Sequence, residues 1–76
     1  MEKAKFLSDF KDQFIDSDII TVEADTDFRQ LESWDSLTGM SVIVMIQDLY
    51  NIEMSDTDLK KCNTVNDIYE FVASKQ

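Results

Sequence analysis

The sequence predicts an all-α fold, a small four-helix bundle of three longer helices and one short third helix, with a long loop between helices 1 and 2. Three observations predict it. The chain has 76 residues with no proline and one glycine, Gly39, so the punctuation that strand-and-turn folds need is missing. Apolar residues recur along it at helical spacing. Residues suited to helix starts stand ahead of three of the four periodic segments. Hydrophobic residues make up 43% of the chain, enough for a folded core, though a small one with little stability to spare. At this length a single domain over residues 1–76 is expected.

The first helix is predicted over residues 2–16. Phe6, Phe10 and Phe14 recur at i, i+4 and i+8 with Leu7 beside them, while Lys3, Asp9, Lys11, Asp12 and Asp16 fill the other face. From 17 to 35 the pattern lapses into Asp, Thr and Ser, a long connection pinned by Ile19, Ile20, Val22, Phe28 and Leu31. Trp34 reads as an anchor of this loop against the bundle. Loops this long inside a compact domain are uncommon and often functional. The second helix, 36–50, starts after Asp35, a good N-cap type. A short third helix, 56–61, has Ser55 as its cap and Asp58 three residues on, close to a capping box. The fourth, 65–74, follows Thr64 and buries Val65, Ile68, Phe71 and Val72.

The second helix carries more apolar surface than a core needs. At about 100° per residue, Val42, Ile43, Ile46, Leu49 and Tyr50 gather into a core stripe. Gly39 falls on the same inward side and predicts a close approach of the loop or another helix. The opposite side should be polar, but Leu37, Met40 and Val44 lie there at i, i+3 and i+7, with Met45 near the flank, among Thr38, Ser41, Gln47 and Asp48. Such a stripe either packs under the long loop or is presented to a partner. Methionine suits a surface that meets differently shaped partners.

Charge and composition remove several function classes. Sixteen acidic against seven basic residues give a net charge of −9, which disfavours nucleic acid and anionic membrane surfaces and favours basic partners. With no histidine, the commonest general base and the usual nitrogen ligand for metals are absent. One cysteine, Cys62, makes neither a disulfide framework nor a zinc cluster and reads as a small buried residue. The acid pairs Asp16/Asp18, Asp25/Asp27 and Asp56/Asp58 lack the glycine and glutamate of a calcium loop, so no metal site is expected. No signal peptide or membrane span is read, and a cytoplasmic, monomeric, non-catalytic protein is expected.

The tripeptide Asp35-Ser36-Leu37 stands where the loop becomes the second helix. A serine there presents its hydroxyl at the positive end of a helix, where an attached phosphate is favoured. The preceding carboxylate can hold a divalent cation used by a modifying enzyme.

Trp34-Asp35-Ser36-Leu37 lies between an aromatic first helix and an apolar-acidic second one. It is followed by Tyr50, Asn51-Ile52-Glu53, Ser55-Asp56 and Thr64-Val65. In this register the chain resembles the acyl carrier proteins over nearly its whole length. The resemblance implies that a phosphopantetheinyl transferase attaches 4′-phosphopantetheine from coenzyme A to Ser36. The arm's thiol would then carry acyl groups as thioesters to acyl-loading and acyl-processing enzymes with basic docking patches. It further implies that Asp35 aids the transferase complex. Leu37, Met40 and Val44 would form the apolar docking positions, and Asp48 and Asp56 would meet basic residues of partners.

Departures from the housekeeping fatty-acid carriers are Trp34 before the aspartate, uncharged Thr38, Ser41 and Gln47, Lys60 where an acid is common, and apolar Met45 and Leu49. They point to a carrier for specialised biosynthesis rather than the main fatty-acid carrier. A D-alanyl or peptidyl carrier shares the same fold and serine, and an unmodified acidic interaction module is the rival from another class.

Overall fold

The computed structural model describes residues 2–76 and contains, among them, four α-helices and no strand. The helices are α1 (Lys3–Lys11), α2 (Ser36–Tyr50), α3 (Asp56–Lys60) and α4 (Val65–Lys75), with one 3₁₀ turn, Phe28–Gln30, in the long loop. The predicted bundle is therefore the fold that forms. None of these helices is long and apolar enough to cross a membrane.

α1 ends at Lys11 instead of continuing to 16. Beyond it the chain keeps turning through tighter bonds: Gln13 N–H donates to Phe10 O at 3.1 Å, Phe14 N–H to Lys11 O at 3.0 Å and Ser17 N–H to Phe14 O at 3.2 Å. Such i→i−3 turns advance three residues per revolution and rotate the side chains away from the α-helical register. Phe14 stays buried against Phe10, ring centroids 5.4 Å apart. Ile15 is turned out to 95% exposure. Ile19, predicted to pin the loop, is likewise exposed, whereas Ile20, Val22 and Leu31 pack half-buried against the core and Phe28 is fully buried.

α2 begins on a side-chain cap, with Asp35 Oδ1 accepting from Thr38 N–H at 2.8 Å and from the Thr38 hydroxyl at 3.0 Å. Thr38, placed on the outward side by periodicity, is buried, and its hydroxyl also reaches Ser33 O in the loop at 3.3 Å. α2 stops at Asn51, whose φ of 57° is left-handed, a conformation that asparagine tolerates better than most residues. Both remaining helices start on full capping boxes, Ser55 with Asp58 and Thr64 with Asp67. Each box satisfies two N–H groups that a helix start otherwise leaves open. α3 is one residue shorter, and α4 one residue longer, than predicted.

Phe6, Phe10, Phe28, Val42, Ile46, Val65, Ile68 and Val72 form a fully buried centre. Trp34 closes one side of it, its ring 4.7 Å from Phe28 and 6.0 Å from Phe14, so the loop anchor expected at this position exists. Gly39 sits where an added Cβ would be 3.5 Å from both Trp34 and Leu59, the close approach its position predicted. Phe71, expected in the buried stripe of α4, is only half-buried. The loop is also tied to α4 through its backbone, Val65 N–H donating to Thr26 O at 3.1 Å and Asn66 N–H to Ala24 O at 2.8 Å.

Candidate functional site

Ser36 is the first residue of α2 and is exposed. Its neighbour Asp35 is held below the usual carboxylate range, chiefly by the hydrogen bond from Thr38 N–H and then by the Thr38 hydroxyl. The carboxylate is thus ionised at neutral pH and fixed beside a free hydroxyl. The start of α2 carries the positive end of the helix dipole, with the Thr38 and Leu37 N–H groups turned to Asp35. A phosphate ester on the exposed Ser36 would stand at this positive end. The residues present therefore fit such a group.

Two grooves flank α2, and the first includes the serine. One, about 620 Å³, runs between α2 and α3 and is lined by Ser36, Gly39, Met40, Ile43 and Leu59, with Trp34, Asp35, Asp56, Arg29 and Lys60 around it. The other lies on the outward face of α2 and is lined by Leu37, Met40, Ser41, Val44, Met45, Asp48 and Leu49, with Gln13 at its edge. Met40 borders both. Leu37, Met40, Val44 and Leu49 are respectively 73%, 62%, 54% and 56% exposed. The stripe is therefore not packed under the loop.

Leu49 and Met45 exchange the places given them by periodicity. Leu49, assigned to the core stripe, is exposed, and Met45, assigned to the flank, is 4% exposed and part of the core. The two sit on one side of the helix between the core and the outward face, so cover decides between them. Mid-helix Met45 finds neighbours there, while Leu49 stands one turn further along, near the open end of α2.

The candidate residues thus fall into two groups. Leu37, Met40, Val44 and Asp48 share the outward face. Asp35, Ser36 and Asp56 lie along the α2–α3 groove with Met40. Asp56 is not a bare acid there, since its carboxylate is 3.1 Å from the Lys60 ammonium. Cys62 is buried and its thiol is pushed up by burial, so it is no thiolate nucleophile. Among the described residues no group of three or more His, Cys, Asp or Glu could hold a metal ion.

Sequence reasoning missed Arg29. Its guanidinium donates to Leu59 O at 2.9 Å and to Cys62 O, and packs over the Phe28 ring at 4.7 Å. It thereby ties the long loop to the end of α3 and fixes one wall of the groove. The available signal was a lone arginine in an acidic loop directly after a core phenylalanine. Its partners are carbonyls, and carbonyls leave no trace in residue types.

A family model described as the phosphopantetheine attachment site matches residues 8–72. The match spans the end of α1, the whole loop, α2, α3 and most of α4.

Proposed function

Because the chain belongs to the phosphopantetheine-attachment family, we propose that Ser36 is the residue that carries the 4′-phosphopantetheine arm. Members of this family hold their cargo for other enzymes and are not themselves catalysts. Such a carrier works with a phosphopantetheinyl transferase and with acyl-processing enzymes. The observation that carries the assignment is the exposed Ser36 hydroxyl at the start of α2, beside an ionised Asp35 and open to a groove.

The residues divide the labour. Ser36 Oγ is the nucleophile that a transferase would join to the pantetheine-side phosphorus of coenzyme A's diphosphate, with adenosine 3′,5′-bisphosphate as leaving group and the hydroxyl proton passing to the transferase. Asp35 offers that enzyme a fixed negative charge for a divalent cation. The positive end of the α2 dipole favours the phosphodiester formed. The bound arm supplies a terminal thiol for thioester chemistry, which the buried Cys62 cannot do.

The cargo we assign is an acyl group, passed between enzymes of fatty-acid or specialised biosynthesis. The outward face of α2 supports this reading through Leu37, Met40 and Val44, an apolar strip bordered by Asp48. A partner presenting an apolar patch ringed by Lys and Arg would match it, with the rim charges setting encounter rate more than final affinity. Asp56 would add to that rim from α3.

Incubation with coenzyme A, magnesium and a broad-specificity phosphopantetheinyl transferase, followed by intact mass, tests the assignment. The wild type should gain the mass of one phosphopantetheine and Ser36→Ala should gain none. Absence of the gain in the wild type would leave an unmodified interaction module. Loading by an aminoacyl-activating enzyme, but not by acyl-transferring ones, would replace the acyl cargo with an amino acid.

A further inference from the structure

The α2–α3 groove brings positive charge close to Ser36 in this acidic chain. Of its seven cationic residues, two, Arg29 and Lys60, line this groove. Arg29 is committed, its guanidinium bonded to Leu59 O in α3 and to Cys62 O just beyond it. Of the groove's acids, Asp35 is committed to the N–H and hydroxyl of Thr38, while Asp56 faces Lys60.

Lys60 differs from Arg29 and Asp35. Its pair with Asp56 is an i,i+4 contact at 3.1 Å between side chains 75% and 74% exposed. Exposed pairs of this kind contribute little and exchange readily. The rest of the groove, Met40, Ile43 and Leu59 beneath Trp34, is apolar. An ammonium on the rim of an apolar channel suits a ligand with a hydrocarbon stem and an anionic oxygen group.

We propose that Lys60 is an anion-binding residue of the loaded carrier. Its ammonium leaves Asp56 to hold an anionic oxygen group brought into the groove on the arm, either the phosphodiester at Ser36 or a carboxylate on the cargo. The inference rests on Ser36 being the attachment position. It adds a residue of this chain that discriminates between kinds of cargo.

The test uses wild type, Lys60→Gln and, as a control, Lys61→Gln, whose lysine lines a separate depression beside Cys62 and Phe71. Each is loaded to completion by a broad-specificity transferase from coenzyme A, butyryl-coenzyme A or carboxyl-labelled succinyl-coenzyme A, and loading is checked by intact mass. Phosphorus NMR then reads the phosphodiester, and carbon NMR titration reads the free carboxylate.

If the phosphodiester is the ligand, its resonance shifts in Lys60→Gln for all three loads, and salt moves the wild type towards the variant. If the cargo is the ligand, only the succinyl form responds, its carboxylate titrating at lower pH in wild type than in Lys60→Gln. Either result supports the proposal. Spectra indistinguishable between wild type and Lys60→Gln overturn it, as does an equal change in Lys61→Gln. A wild type that gains no mass removes the Ser36 assignment itself, and the Lys60 proposal falls with it.

Discussion

The aromatic side of the bundle and the outward face of α2 are built from comparably apolar residues, and the fold treats them oppositely. On the first side Phe6, Phe10, Phe14 and Phe28 are buried, with Trp34 drawn in by ring contacts of 4.7 and 6.0 Å. On the second, Leu37, Met40 and Val44 stand more than half exposed along one helix. The difference is one of cover. The long loop contributes its own Phe28 and Trp34 to the core, and it leaves Leu37, Met40 and Val44 on the outward face of α2 more than half exposed. Apolar residues therefore mark the core only where a second element is long enough to meet them. Where none is available, the same residues form a surface that an outside partner can cover.

Breaking the covered side should have the largest effect. Phe28→Ala removes a fully buried ring that touches Phe10, Trp34 and the Arg29 guanidinium, and is expected to destabilise by about 3–5 kcal/mol. A domain this small has only about 4–11 kcal/mol in total. Urea unfolding followed by circular dichroism should show a large loss of midpoint, and a near-unchanged midpoint would mean that the loop contributes little to the core. A smaller effect is expected at the helix starts. Thr64→Ala removes the side-chain acceptor for Asp67 N–H and should cost about 1 kcal/mol, read in the same experiment.

Acid acts on the same caps. Asp58 and Asp67 are held below the usual carboxylate range by backbone N–H groups, Ser55 N–H for the first and those of Asn63 and Thr64 for the second. A depressed folded value means that the stabilisation is complete above the unfolded value of about 3.9 and is lost as pH falls through the lower folded value. Protonation also relieves repulsion in a chain of net charge −9, so the informative quantity is a difference. Wild type should lose more stability than Asp58→Asn between about pH 6 and pH 3. Equal losses would show that the α3 cap carries none of the acid sensitivity.

The smallest change in stability belongs to the uncovered side. Leu37→Ser should shift the unfolding free energy by no more than about 0.5 kcal/mol, while slowing modification of Ser36 by a transferase that docks on this face. A stability loss as large as that of Thr64→Ala would instead show that Leu37 packs within the protein.

Much of this division is legible in the sequence. The three-phenylalanine spacing, the caps at Asp35, Ser55 and Thr64, the Trp34 anchor and the surplus stripe on α2 all follow from periodicity and side-chain chemistry. What escapes it depends on turns and on cover. The chain tightens after Lys11 through backbone bonds that no side chain announces, which sends Ile15 outward and keeps Phe14 inside. Leu49 and Met45 trade places because of what stands opposite each. At the candidate site Ser36 and Asp35 are visible from their register, while the Arg29 tie depends on where α3 lands.

The arginine tie has a mechanical consequence. A helix of five residues is too short to persist by itself in water, so α3 owes its standing to its capping box, to Leu59 and to one guanidinium reaching from a segment thirty residues earlier. Without that guanidinium, the end of α3 and the groove wall it forms beside Ser36 would lose their tie to the loop.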